Sequence, residues 1–257
     1  MRDPRPLQHD GRDDAGSAEP LVIDPLRNGP RSSGNGGWVA GSLALRLGTP
    51  VTSVALRAPV PLGTPLQLRL QPDGSLTLGH AGTVVAEAAA ATLELGIPPP
   101  PDLDAAEAAG VVARLRSERR GATWPYAHCF ACGFARTDGL AIIPGPVGDD
   151  GLVATTWTPP AWVGGADGRV RVEATWAALD CPAGIAWSHR LPEGTPIVTV
   201  RMTASVERPL AVGERCRVIA WPIARDGRKL HAGSAIVDDS GTVRARSRQL
   251  WLIPRDA

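Results

Sequence analysis

Hydrophobic and polar positions change period several times along the chain. The segment NGGWVAGSLALRLG, beginning at Asn35, places Val39, Leu43 and Leu47 at helical spacing and stops at Gly48, which predicts one short helix. VTSVALRAPV and TPLQLRL then alternate, and SLTLG meets TVVAEAAAATLEL across a glycine-containing turn, so four antiparallel strands should follow that helix. A proline run in IPPPPDLDAAEAAGVVARLRSERRGA stops the last strand and gives way to an Ala-rich segment of helical character ending in basic residues. Farther on, GLVATTWT reads as a strand, Gly164-Gly165 as a loop, and VRVEATWAALDCPAGIAW as an apolar helix. TPIVTVRMTASVERPL, ERCRVIAWPIARDG, KLHAGSAIVDDSG and TVRARSRQLWLIP are strands, with turns at Val212-Gly213, Asp226-Gly227 and Ser240-Gly241.

Two successive units therefore share one order, a helix and then about four antiparallel strands. Local wording repeats as well: APVPLGTPLQL and ERPLAVGERCRV both set Pro-Leu and a glycine before a new strand. The fold class is α+β, each sheet wrapped round an apolar helix, with Leu43, Trp176 and Leu179 among the enclosed residues. The expected organisation is a disordered polar tail at 1–20, a first unit at 21–96, a linker with a helix at 97–127 and a second unit at 128–257.

Composition narrows the function classes. A chain of 257 residues suits two units of ordinary size, and a net charge of +1 gives no field to hold a polyanion, which argues against nucleic acid. No run approaches the roughly 20 apolar residues of a membrane span, and the charged N-terminal stretch lacks the apolar core of a signal peptide, so a cytoplasmic protein without membrane contact is expected. Four cysteines, Cys129, Cys132, Cys181 and Cys216, are then expected as thiols.

NGGWVAGSLA, ATWAALDCPAGIAW, the glutamine-bearing VRARSRQLWL and the entry segment HCFACGFARTDGLAIIPGP together resemble the double-hotdog acyl-CoA thioesterases over about residues 21 to 254. Asn35 stands where that family's helix entry has histidine. The resemblance implies two tandem hotdog repeats forming one double-hotdog unit, with no cofactor. Its substrate would be an acyl-CoA or acyl-carrier thioester. Carried over position by position, the catalytic set is Asp180 on the second helix, Thr203 on the following strand and Gln249 on the last, with Ser205 or Thr199 replacing Thr203 if the alignment shifts. Asn35, Gly36 and Gly37 would bind substrate. The first helix has no carboxylate, so at most one of two pseudo-equivalent sites should be catalytic.

Thioester hydrolysis needs an activated water and a donor for the oxygen that becomes negative. Asp180 suits the base or the nucleophile, Gln249 and Thr203 can hold water without competing charge, and the Asn35-Gly36-Gly37 helix entry can offer backbone N–H groups. Plainer roles stand beside these. Pro182 should kink or restart the second helix near Asp180, whose carboxylate could then be a cap. Asn35-Gly36-Gly37 could be a simple helix start, and Thr203 a strand residue chosen for shape. Gln249 lies opposite Arg244, Arg246 and Arg248 on an alternating strand, so it should point inward; the arginines suit either a ligand phosphate or a solvated outer face. His189 and Glu173 are further acid or base candidates. Cys129-x-x-Cys132 has the spacing of two zinc ligands, but no second Cys-x-x-Cys or His-x-x-x-His follows and a site would have to recruit Cys181, Cys216 or a distant His, so no metal is expected and packing thiols are the default. Hydrolysis, acyl-thioester binding without turnover, and hydration or dehydration of an enoyl thioester all remain open, as does a homodimer.

Overall fold

The structure is a computed structural model that describes residues 20–29 and 33–255. Apart from Pro20, the segment read as a tail lies outside them. After a two-residue strand, β1 (Leu21–Val22), the first helix, α1 (Gly36–Leu47), begins at Asn35, whose Oδ1 accepts the Trp38 N–H at 2.9 Å, and ends at Gly48 with φ 69°, where the left-handed turn favours glycine. Four strands follow: β2 (Val51–Leu56), β3 (Pro65–Leu70), β4 (Leu76–His80) and β5 (Thr83–Ala90). α2 (Leu103–Glu118) is capped by Asp102 and precedes β6 (Gly145–Pro146) and β7 (Val153–Trp157). α3 (Val172–Ser188) then leads to β8 (Val198–Val206), β9 (Cys216–Asp226), β10 (Lys229–Asp238) and β11 (Val243–Leu252).

All eleven strands form one antiparallel sheet in the order β1-β3-β4-β5-β2-β8-β11-β10-β9-β7-β6. The join is β2 against β8, from Val51 opposite Ser205 to Ala55 opposite Arg201. On one face α1 packs against β2 and β5, α3 against β8 to β10, and the helices against each other, enclosing Leu43, Trp176 and Leu179. These three were the residues expected inside.

The Ala-rich segment does more than connect. Val153, Val218 and Ile236 face α3, whereas their neighbours Ala154, Ile219, Ala235 and Val237 cluster with Ala106 of α2. Successive strand residues point to opposite faces, so α2 covers the far side of the sheet. Both faces of β9 and β10 are thus buried at this end, which explains the unbroken apolar runs VIA and AIV.

α3 does not restart near Asp180 but continues through Pro182 to Ser188. Pro182 has no N–H to give the Ala178 carbonyl, but burial of nearly the whole helix against the sheet and α1 holds it together. Residues 119–144, which contain no named helix or strand, strap the helix entry. Phe130 N–H donates to the Asn28 carbonyl at 2.8 Å, and Arg136 donates to Asn28 Oδ1 at 2.7 Å and the Leu26 carbonyl at 2.8 Å.

Candidate active site

Gly37 and Gly41 let α1 approach α3 closely. A Cβ on Gly37 would lie 2.5 Å from the Trp176 carbonyl oxygen and 2.7 Å from Asp180 Cβ; one on Gly41 would lie 2.6 Å from Glu173 Cα. With no side chains in the way, the N-terminus of α1 meets the middle of α3 at Asp180. The Gly37 N–H donates to Asp180 Oδ2 at 2.9 Å, Asn35 Nδ2 donates to the same oxygen at 3.4 Å, and Thr199 Oγ1 donates to Oδ1 at 2.8 Å. The carboxylate, whose plainer reading was a cap on its own helix, instead receives the N-terminal donors of the other one, where the helix dipole favours negative charge.

Asp180 is only 2% exposed. Burial raises its pKa from 3.8 to about 6; hydrogen bonds from Thr199 and Gly37 oppose that rise, the neighbouring Cys129 adds to it, and the Asn35 hydrogen bond opposes it. Asp180 forms part of the wall of a cavity of about 600 Å³, together with Asn35, Gly36, Thr199 and Val200.

The register of β8 decides which threonine reaches this wall. Leu250 of β11 pairs with Arg201 and Trp251 with Thr199, so Val200 is an extra residue. Met202 and Ala204 face the helices, and strict alternation would turn Thr199 away with Thr203. The irregularity at Val200 turns Thr199 inward instead. Thr203 donates to Ser53 Oγ at 3.0 Å across the β2–β8 join and does not bond Asp180.

Gln249 points inward as the alternation predicts, yet it lies under α3 and is absent from the cavity wall. Its Nε2 donates to the Leu179 carbonyl and Ser247 Oγ, both at 2.7 Å, and its Oε1 accepts from Trp251 Nε1 at 2.9 Å. The structure therefore brings together Asp180, Asn35, Gly36 and Gly37, and leaves Gln249 and Thr203 with other partners.

His189 lines the same cavity, but nine residues beyond Asp180 on the helix, about 13 Å along its axis, beyond hydrogen-bond reach. Burial lowers the His189 pKa, and Arg116 and Arg120 lower it further. Glu173 lies beside Gly41 outside the wall. Arg244 is engaged by Glu214 and Asp238, and Arg246 lies 2.7 Å from Glu207, consistent with an outer face.

The fold also unites cysteines that spacing along the chain had left apart. Cys129 and Cys132, on the segment before β6, meet Cys181 of α3, with all three Sγ atoms within 4.8 Å of one another and Cys129 Sγ 3.7 Å from Cys181 Sγ. Asn35 Nδ2 is 3.8 Å from Cys129 Sγ and 4.0 Å from Cys181 Sγ. The sequence offered Cys181 only as one of several residues that could join Cys129 and Cys132, and the tertiary approach of α3 to the Cys-x-x-Cys turn is what selects it.

No family model matches the chain, and no curated protein matches it. Solved structures do. A protein assigned as a thioesterase II from Thermobifida fusca is 16% identical over 91% of both chains, with a TM-score of 0.59. The TesB protein of Mycobacterium avium subsp. paratuberculosis is 13% identical over 86% of this chain and 88% of its own, with a TM-score of 0.56. The chain has the α+β hotdog fold of these thioesterase structures, with its strands in a single large antiparallel sheet.

Proposed function

We propose that the chain comprises two tandem hotdog repeats, 21–96 and 128–257 joined by 97–127, and hydrolyses an acyl-CoA or acyl-carrier thioester using Asp180 and a water. The observation that carries this reading is the buried carboxylate in the cavity wall at the N-terminus of α1. An apolar slot beside a few convergent polar groups suits an acyl thioester. Ionised Asp180 takes a proton from water as the water oxygen attacks the thioester carbon. The Gly36 N–H, first in α1 and in the cavity wall, is the donor assigned to the developing oxyanion. Collapse breaks the C–S bond, the departing thiolate takes the proton from Asp180, and the carboxylic acid product leaves. Thr199 orients Asp180. We assign the protein to the cytoplasm, where its thiols stay reduced; among the described residues no helix is long and apolar enough to cross a membrane. Both sides of the site come from one chain, so a homodimer is not needed to complete it.

A second reading, acyl-thioester binding without turnover, draws on the same geometry, because Gly37 N–H and Thr199 Oγ1 are already spent on a nearly inaccessible carboxylate. To distinguish them, wild type and Asp180→Asn are incubated with an acyl-CoA panel. Hydrolysis is followed by loss of thioester absorbance, so protein thiols do not contribute, and folding is checked by circular dichroism. Turnover that the variant loses supports hydrolysis by Asp180; equal turnover refutes the assignment; saturable binding without turnover supports the second reading.

A further inference from the structure

We propose that Cys129, Cys132 and Cys181 hold one thiophilic metal ion of the zinc class, with its fourth coordination position open to the cavity. Tetrahedral Zn–S bonds of about 2.3 Å put neighbouring sulfurs about 3.8 Å apart. The Cys129–Cys181 separation, 3.7 Å, is already that edge, and the third sulfur lies within 4.8 Å of both. Little movement would close the triangle around an ion.

The local backbone is built for a bound thiolate. In Cys129-Phe130-Ala131-Cys132-Gly133 the Gly133 N–H donates to the Cys129 carbonyl at 2.7 Å, closing a tight loop, and the Ala131 and Cys132 N–H groups are directed at Cys129 Sγ. Gly133 is required because a Cβ there would come within 2.7 Å of the Ala127 carbonyl oxygen. The Asn35 amide, 3.8 Å and 4.0 Å from two of the sulfurs, adds another donor to the same cluster. Such N–H groups stabilise negative sulfur without competing as ligands.

Three ligands come from the chain and the fourth does not. Asp180 is held by Gly37, Asn35 and Thr199, and Asn35 Oδ1 is committed to the Trp38 N–H. All three cysteines line the cavity, so a water or a ligand sulfur from that space can complete the tetrahedron. Cys216 is separate, its thiol 3.2 Å from the Trp157 carbonyl. The ion would tie the 119–144 strap to α3, linking segments 52 residues apart.

The test uses the full chain, stripped with chelator, kept reduced with a phosphine and titrated with Co²⁺ alone. One equivalent should give sulfur-to-cobalt charge transfer and the intense visible bands of tetrahedral Co²⁺, and one equivalent of Zn²⁺ should displace it. Cys181→Ser should weaken binding by at least about tenfold, as loss of a ligand requires, while Cys216→Ser leaves it unchanged. Since Cys181→Ser could perturb α3, native mass spectrometry of wild type supplies an independent readout, one zinc bound with loss of thiol protons. A pale octahedral cobalt spectrum, cobalt binding unchanged in folded Cys181→Ser, or reduced wild type that carries no zinc in the mass spectrum would each overturn the proposal.

Discussion

Asp180 faces two opposing demands: burial favours its neutral form, whereas three donors favour its anion. The net rise from 3.8 to about 6 makes folding favour the protonated acid. Below pH 3.8 both folded and unfolded chains hold the proton; between 3.8 and 6 only the folded chain retains it; above 6 both have lost it. At about 1.4 kcal/mol per unit, wild type should lose roughly 3 kcal/mol of stability across that window. Asp180→Asn retains an acceptor for Gly37 N–H and has no such titration. Denaturant unfolding of the metal-free proteins should therefore show Asn gaining on Asp by about 2 kcal/mol from pH 4 to pH 7; parallel pH profiles would contradict the burial argument. The threonines give a sharper test of function. Thr199→Val should reduce turnover roughly tenfold to a hundredfold, while Thr203→Val leaves it within about twofold. Gln249→Leu should cost about 1–3 kcal/mol in unfolding free energy, since Trp251 Nε1 loses its acceptor, with little effect on turnover per folded molecule. Asp180 was legible because a carboxylate among Ala and Leu is costly to bury without a role. Thr199 was named only as an alternative to Thr203, because an extra residue in a strand reverses the facing pattern without changing composition. Gln249's inward direction was legible from alternation, but its partner, a backbone carbonyl of α3, was not.

At the scale of elements, α1 and α3 were visible from apolar spacing, whereas their close approach depends on Gly37, which also reads as an ordinary helix-start residue, and on Gly41 inside the helix. Gly41 tests that approach apart from the carboxylate. An added methyl would meet Glu173 Cα and, at 2.9 Å, Trp176 Cβ, so Gly41→Ala should destabilise by about 1–3 kcal/mol despite alanine's higher helix propensity. Gly96 has nothing within 4 Å of an added Cβ and no positive φ, so Gly96→Ala should change stability by less than about 0.5 kcal/mol. Similar melting temperatures for the two variants would mean that the helices separate easily. α2 was legible as a helix but not as a cover for the sheet: its weak apolar stripe buries Ala106, Gly110 and Ala113, small residues that carry little hydrophobic signal. The unbroken runs in β9 and β10 held that information, since a strand buried on both faces has no reason to alternate.

For the whole molecule, the repeated order of helix and strands and the joining of two sheets into one were legible in sequence, but which strands form the seam was not. β2 and β8 pair through Val51–Ala55 and 201–205, residues with no complementary pattern that could have named them as partners. That seam and the α1–α3 contact make each half the other's missing surface. Alone, residues 20–96 would expose the β2 edge and the α1 face now set against Trp176 and Ala177, losing much of the buried surface on which a domain of this size depends. The intact chain should therefore unfold in one transition, with tryptophan fluorescence and far-ultraviolet circular dichroism coincident. A chain cut within 91–102, where no strand or helix core is interrupted, should keep its two pieces associated under native conditions, whereas the 20–96 piece alone should show no cooperative melt. A cooperative melt of that isolated piece would mean the halves are independent domains in contact, and the site at the α1 entry would then depend on a separable interface rather than on a shared core.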